Sequence, residues 1–463
     1  MFNRNIFLWE TTTMKAILFL IVFVLMLAPS YAQDSHYWNI QYGTKSTLLG
    51  GSVIGSVRDL SATFYNPGAV ALFDDSKLIL SAKVYQYEQV TVINGAGQNK
   101  DLDYSSISPS PTFVAFKINI DTTGKNKLAF SLLTRQSMNF DFETRQIGTE
   151  RNLNEYGSNF AAGGLSLQQK FDEIWGGLTF SHKLNDFIGL GFTTYIAYRN
   201  QTSNFQTVIE ALDSLNQISS FLAIRNLKFN NYRGLIKTGL TVNLNPVTFG
   251  LTITTPSLSI LGSGSYGYHN FINNPSDPNK NVYESNYQDE LGSKYQTSWA
   301  IGFGASYWRQ SFSVHFSTEW YNAVKQYEPI VLDPMLSQST GETFTKKITQ
   351  QLKSIINFGI GADYKLNDKV SFAGSFITDF SANDTNNEGN ISLSRWDIYH
   401  ISAGSYFNIG SSEITLGLSY SFGSDVIKQI AEIGNPDSET QANVNTSADV
   451  KFTRIKILFG FIF

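Results

Sequence analysis

The 463-residue chain contains no cysteine. That excludes disulfides, thiolate metal sites and a cysteine nucleophile. Charge is also scarce: Asp, Glu, Lys and Arg make up 16% of residues, for a formal net charge of -4. So small an imbalance implies no polyanionic partner, and no basic block marks a nucleic-acid surface. Long hydrophobic runs are missing beyond Ala32, so no segment there spans a bilayer as a helix. A mean hydropathy of -0.14 agrees, although it equally suits a membrane protein whose apolar and polar positions alternate and cancel.

What the chain has is aromatic and small. Aromatics reach 14%, with 35 Phe and 23 Tyr beside 36 Gly. The stretch Lys451 to Phe463 places Thr453, Ile455, Ile457, Phe459, Phe461 and Phe463 on one parity. The other parity holds Phe452, Arg454, Lys456, Leu458, Gly460 and Ile462. A β-strand sends alternate side chains to opposite faces, so this one has an apolar, phenylalanine-rich face. A strand whose apolar face meets lipid needs no further cover.

At the other end, Lys15 precedes the apolar run Ala16 to Ala28, and Pro29-Ser30-Tyr31-Ala32 sets small residues before Gln33. Residues 1–32 therefore read as a signal peptide, with Met14 as an alternative start.

Alternating segments recur near 77–92, 108–120, 127–140, 163–183, 187–204, 224–244, 246–256, 294–309, 311–326, 345–366, 369–382, 394–410, 412–424 and 449–463. Short turns such as Leu184-Asn185-Asp186 and Leu366-Asn367-Asp368 alternate with long polar stretches near 93–107, 141–162, 205–223, 257–293, 327–344, 383–393 and 425–448. Short turns on one side and long loops on the other are the rhythm of an outer-membrane barrel. The expectation is an all-β fold: an antiparallel transmembrane β-barrel of fourteen strands over 77–463, its last strand pairing with its first. Trp299 and Tyr307, flanking Ile301, Phe303 and Ala305 on one face, lie about 20 Å apart along the barrel axis at ~3.3 Å per residue and ~40° tilt, close to the ~25 Å apolar band that aromatic girdles flank.

Residues 33–76 do not alternate. Leu48, Leu49, Val53, Ile54, Phe64, Tyr65, Val70 and Leu72 are too apolar for a solvated tail. A wide barrel needs filling, so the segment is expected to fold back as an N-terminal plug inside the lumen. In the third long loop, Val208, Ile209, Leu212, Leu215, Ile218, Phe221 and Leu222 recur at three- and four-residue steps, which predicts an amphipathic helix. It is expected to pack on the next loop through Leu258, Ile260, Leu261, Phe271 and Ile272.

The segment Ser52 to Leu72, with Asn66-Pro67-Gly68 near its end, resembles the hatch of the FadL/TodX (OmpP1) family of outer-membrane transporters. Tyr232 to Pro256 and Ser298 to Tyr321 extend the resemblance over the mature chain. It implies a plugged barrel that takes up hydrophobic small molecules, such as long-chain fatty acids or aromatic hydrocarbons, and releases them sideways beside a kinked third strand. In this chain that strand carries Arg135, Ser137 and Asn139 as the lateral-opening residues. Ile209, Leu212, Leu215, Ile218, Phe221 and Leu222 form the matching substrate-access loop. Gly68 stands where the family has Ala, which would loosen the hatch. The partners implied are a hydrophobic small molecule, outer-membrane lipid and, during biogenesis, the barrel assembly machinery. A second reading of the same fold is a PorV-like carrier serving a secretion system.

No enzyme is expected. The five histidines, His36, His182, His269, His315 and His400, meet no nucleophile motif, although His315 and His400 fall on lumen parity. Gly262, Gly264 and Gly267 lack the strand-to-helix setting of a nucleotide site. The Asp and Asn clusters at 274–280 and 383–390 read as solvated loops, so neither cofactor nor metal is expected.

Overall fold

The computed structural model describes residues 36–73, 78–81, 85–96, 99–109, 113–148, 158–213, 217–275, 277–383, 394–410, 412–428 and 447–462. The predicted signal peptide, Leu215 and Phe463 lie outside them.

Three one-turn helices come first: α1 (Lys45–Leu48), α2 (Ala62–Tyr65) and α3 (Ala69–Leu72). After them, among the described residues, come strands, turns and one 3₁₀ turn, Pro278–Lys280. The first half of the wall comprises β1 (Leu78–Ser81), β2 (Tyr85–Ile93), β3 (Leu102–Pro109), β4 (Phe113–Asn119), β5 (Asn126–Gly148), β6 (Ser158–Lys183), β7 (Ile188–Asp213), β8 (Ile218–Asn243), β9 (Val247–Thr254), β10 (Leu258–Asn273) and β11 (Val282–Gly292). Next come β12 (Ala300–Arg309) and β13 (Phe312–Tyr321), then the four short strands β14 (Val324–Tyr327), β15 (Met335–Leu336), β16 (Thr343–Phe344) and β17 (Gln350–Leu352). The wall resumes with β18 (Ile355–Lys365), β19 (Val370–Asp379), β20 (Asp397–Ile409), β21 (Ser412–Lys428) and β22 (Ser447–Ile462).

Apart from β14–β17, these strands form one antiparallel sheet. Its ladder runs from β4 through β5, β6, β7, β8 and β9 to β12, β13 and β18, then onward to β22. It then returns to its start, because β22 pairs with β1 through Ile79↔Ile462 and with β2 through Gln86↔Lys456, and β1 pairs with β4. The expected meeting of last and first strands is present. Closure of this kind removes the two end edges of an open sheet, which is what a sheet in hydrocarbon requires.

Side-chain burial follows the strand period. On β22, Phe452, Arg454, Lys456 and Leu458 are buried, whereas Ile455, Ile457 and Phe459 are exposed. The outward face of β7 runs Leu190, Phe192, Thr194, Ile196, Tyr198 and then turns polar at Asn200, Thr202 and Asn204. On β8 the apolar run ends at Tyr232, whose ring packs 4.6 Å from that of Tyr198. Exposed Phe249, Leu251, Ile301, Phe303, Phe316, Ile356, Phe358, Leu416 and Leu418 carry this apolar band across the other strands. Monomeric soluble proteins rarely expose apolar patches beyond a few hundred Å².

Two turns repeat one piece of chemistry. Asn185 Oδ1 accepts from the backbone N–H of Phe187 and Ile188, each at 2.8 Å. Asn367 Oδ1 accepts from Lys369 and Val370, each at 2.9 Å. Ion pairs Lys183–Asp186 at 2.8 Å and Lys365–Asp368 at 2.7 Å flank them. An Asn that bonds its own downstream backbone substitutes for a turn's missing partner.

Three long polar stretches are not loops. Residues 141–148 and 158–162 continue β5 and β6, most of 205–223 belongs to β7 and β8, and 257–293 holds β10 and β11. The predicted amphipathic helix is therefore a β-hairpin: Val208 pairs with Leu222, Ile209 with Phe221 and Leu212 with Ile218. The three- and four-residue steps come from mirror symmetry about position 215, which mimics a helical stripe. Ile209 and Phe221 face inward and are buried, while Leu212 and Ile218 are exposed. Of the expected contacts to the next loop, Phe271 and Ile272 do pair with Leu222 and Phe221. Leu258, Ile260 and Leu261 instead lie far down β10, exposed.

Candidate substrate site and lateral opening

The N-terminal segment packs against inward-facing groups of the wall on both sides. Asn66 is fully buried; its Nδ2 donates to the carbonyls of Ile54 at 2.8 Å and Leu240 at 3.0 Å, and its Oδ1 accepts from Gly68 N–H at 3.1 Å. Pro67 lies beside Gly191 and Gly239 of the wall, and Gly55 beside Gly304. A Cβ on Gly68 would stand 2.6 Å from the carbonyl oxygens of both Gly189 and Gly239. Gly68 itself has φ -65°, open to any residue. Glycine is needed there for close approach, which lets the turn seat on the wall.

Across the lumen the same segment is held by polar contacts. Arg454 Nη1 donates to Asn39 Oδ1, Lys456 Nζ donates to the Asn39 carbonyl at 2.9 Å, and Lys45 pairs with Glu413 at 2.7 Å. His315 lies 2.7 Å from Ser56 Oγ and 2.8 Å from Asp363 Oδ2. The two lumen-parity histidines are indeed buried, and His315 bridges segment and wall.

Between segment and wall is a cleft lined by Tyr37, Trp38, Ile40, Ile54, Phe64 and Tyr65, with Lys237 and Glu319 at its polar side. Lys237 Nζ lies 3.4 Å from Glu319 Oε1, and Glu319 Oε2 accepts from Trp38 Nε1 at 3.0 Å and Tyr321 OH at 2.5 Å. Above the cleft runs a buried charged belt. Glu173, fully buried, receives Arg199 Nη1 at 3.1 Å, Arg233 Nη2 and Trp175 Nε1. Arg199 also reaches Gln136 Oε1 at 3.4 Å, and Gln136 Nε2 donates to the His36 carbonyl at 2.8 Å. Arg135 lies 5.5 Å from the ring centres of both Phe64 and Trp175. Arg135 Nε and Nη1, like Arg233 Nε and Nη1, are buried donors with no hydrogen-bond acceptor. Such groups are costly unless something else satisfies them.

None of these charges except Arg135 stands out in the sequence. Each is a single polar residue on an inward strand position, brought together from β5, β6, β7, β8 and β13 by pairing alone.

The strand flagged for a break contains one. In the β5–β6 ladder Thr134 pairs with Ile174 and Gln136 with Glu173, leaving Arg135 as a bulge. Arg135 and Gln136 both point inward, and the Thr134 carbonyl accepts from Tyr42 OH at 2.7 Å. On its other side β5 pairs with β4 only up to Phe113↔Leu133, and among the described residues no ladder joins β3 to the upper half of β5. Ser137 bonds Asp172 Oδ1 at 2.7 Å and Asn139 is exposed, so both face outward, past the bulge. Of the expected access residues, Ile209 and Phe221 form a buried pair at the far end of β7 and β8, away from the cleft.

Among the described residues no group of three or more His, Asp or Glu is placed to hold a metal ion, and no helix is long and apolar enough to cross a membrane. No protein-family model matches the chain, and no curated protein matches it in sequence. Solved structures do match. A Pseudomonas aeruginosa FadL homologue aligns over 94% of this chain and 99% of its own, with TM-score 0.57 and 14% identity. The Pseudomonas putida toluene transporter TodX covers the same shares, with TM-score 0.58 and 11% identity. The Ralstonia pickettii toluene transporter TbuX aligns over 91% of this chain and 97% of its own, with TM-score 0.52 and 12% identity. The chain is similar in fold to this FadL homologue and to these two toluene transporters over nearly its whole length.

Proposed function

We propose that this chain is an outer-membrane transporter for the uptake of hydrophobic small molecules, with residues 33–76 as the plug of a fourteen-stranded barrel. Reading β1 with β2, β3 with β4, β9 with β10 and β11 with β12 as interrupted single strands leaves fourteen around the ring. That is an even number, as single-chain bacterial barrels have. The apolar outward band, bounded by tyrosines, supports the membrane assignment.

One observation carries the substrate reading: beside an aromatic cleft against the N-terminal segment, Arg135 lies 5.5 Å from the ring of the cleft's Phe64, and its buried Nε and Nη1 have no acceptor. Apolar rings stabilise a hydrocarbon body by about 25 cal/mol per Å² buried. The unpaired donors of Arg135 and Arg233 favour an anionic head, so a long-chain fatty acid fits better than an aromatic hydrocarbon. The bulge at Arg135, beside the end of the β4–β5 ladder, is the proposed lateral exit. The protein-carrier alternative is less well supported, because the outward face above the tyrosines is polar, with Asn200, Thr202 and Asn204, rather than aromatic as protein-binding hot spots are.

The test is uptake of labelled oleate and labelled toluene by cells with and without the protein. Faster oleate uptake is expected. Equal rates with and without it, for both solutes, would refute the transport reading.

A further inference from the structure

The wall carries a second interruption, between the line β9–β10 and the line β11–β12. The β9–β12 ladder ends at Ala300↔Thr254, and the β10–β11 ladder begins at Ser263↔Gly292. Between them the segment 293–299 turns inward. Lys294 N–H donates to the Pro329 carbonyl at 2.9 Å, Ser293 bridges Ile330, and Tyr295 is fully buried. The facing segment, 255–262, carries register shifts against β8.

One backbone bond, from Ser293 N–H to the Gly262 carbonyl at 3.2 Å, closes the upper end of this seam; below it side chains stitch where a backbone ladder would otherwise run. Thr297 Oγ1 accepts from Ser257 N–H at 2.6 Å. Ser259 Oγ donates to the Tyr295 carbonyl and accepts from its N–H, both at 3.0 Å. Asn231 Nδ2 donates to the carbonyls of Leu261 and Ser293 at 3.3 and 3.2 Å. Outside, Leu258, Ile260 and Leu261 are 75%, 57% and 68% exposed, which makes an apolar lip beside Tyr232.

The two interruptions are joined by one row of cross-strand partners: Gln136, Glu173, Arg199, Asn231 and Gly262. The first four point inward and include Glu173 and Arg199 of the charged belt. The row also climbs. Arg135 is nine positions beyond the start of β5, whereas Gly262 is fifteen beyond the start of β9, about two of which are absorbed by the shifts. At ~3.3 Å per residue and ~40° tilt, the upper end of the second interruption, at Gly262, lies about 10 Å nearer the outer surface than Arg135.

We infer that this seam is a second lateral portal, through which an amphiphilic compound passes between the outer interface of the bilayer and the lumen. The inference rests on the transport reading above. Weak side-chain stitches open at lower cost than a continuous ladder, because each can be replaced by water or by the head of the passing molecule. The apolar lip receives the tail, and the buried donors of Arg233 lie one strand inside.

The absence of cysteine makes labelling a direct test. Thr297→Cys would place a thiol on the inner lip of the seam. Thr252→Cys would place an equally buried thiol on β9, which is laddered to both neighbours. With a maleimide confined to the bilayer by an acyl chain, Thr297→Cys is expected to react at least tenfold faster than Thr252→Cys. Equal rates, or no reaction at either site, would overturn the portal whether or not the protein transports anything. Ser257→Cys serves if Thr297→Cys fails to assemble. Ser257 and Thr297 meet directly across the seam, so Ser257→Cys with Thr297→Cys supplies a disulfide lock. Oxidation is expected to slow oleate uptake severalfold and reduction to restore it. Uptake unchanged by the lock in a transporting protein would also overturn the portal, while a parent that takes up no oleate counts against the transport reading alone.

Discussion

Gly68 faces the backbone of Gly239 so closely that a single methyl group on it would stand 2.6 Å from the Gly239 carbonyl oxygen. The contact couples the N-terminal segment to β8, and a backbone neighbour cannot rotate away as a side chain can. Gly68→Ala is therefore expected to push the segment off its seat and raise ion conductance severalfold in planar bilayers. Unchanged conductance would mean that this contact does not hold the segment in place.

Glu173 is the common anion of Arg199 and Arg233. Removing one partner of a buried pair leaves charge uncompensated, at a cost of about 3–5 kcal/mol. Glu173→Ala should lower the urea midpoint accordingly, and replacing the whole triad, Glu173→Met with Arg199→Met and Arg233→Met, should recover much of the loss. A Glu173→Ala protein as stable as the parent would contradict the belt's pairing.

Deleting Arg135 would remove the bulge and let Thr134 and Gln136 pair in unbroken register with β6. The barrel should still assemble, as judged by heat-dependent gel mobility, but oleate uptake should fall at least tenfold. Normal uptake by the deletion variant would rule out an exit beside β5.

The hairpin at 205–223 distinguishes its inner face from its outer one. Ile209→Ala or Phe221→Ala should destabilise by about 2–4 kcal/mol, with less than additive loss in the double variant, because the two are cross-strand partners. Leu212→Ala and Ile218→Ala, on the exposed face, should change stability by under about 0.5 kcal/mol. Equal losses at all four positions would favour a helix.

Asp59, in the N-terminal segment, has its carboxyl raised above the ordinary range by burial, against the opposing pull of Ser61 donors. A raised folded-state value means that the protonated form is favoured in the fold. Its contribution is complete below the unfolded value of about 3.9 and is lost as pH rises through the raised one. Asp59→Asn keeps an acceptor for Ser61 N–H, at 2.8 Å in the parent. It should raise the thermal midpoint near pH 7 and flatten the dependence between pH 4 and 8. Parallel pH profiles for the two proteins would show that Asp59 does not titrate this way.

The wall was legible because its signals are local. Alternation at Ile455, Ile457 and Phe459 marks the outward face, and Leu-Asn-Asp marks two of the turns. The bulge at Arg135 was legible as a polar interruption of an apolar strand. The charged belt was not, because Glu173, Arg199 and Arg233 are each unremarkable inward residues until their strands pair. Nor was the hairpin at 205–223, since mirrored apolar positions imitate a helical stripe when the partner strand is unknown.

Strand period, turn chemistry and the shortage of charge were enough, within the chain itself, to dictate a β-barrel wall and the direction each side chain faces. Tertiary structure alone decided how far the strands climb, where the wall is interrupted, and that Gly68 meets Gly189 and Gly239. Those outcomes depend on cross-strand register and on contacts between residues more than a hundred positions apart, which no local pattern encodes.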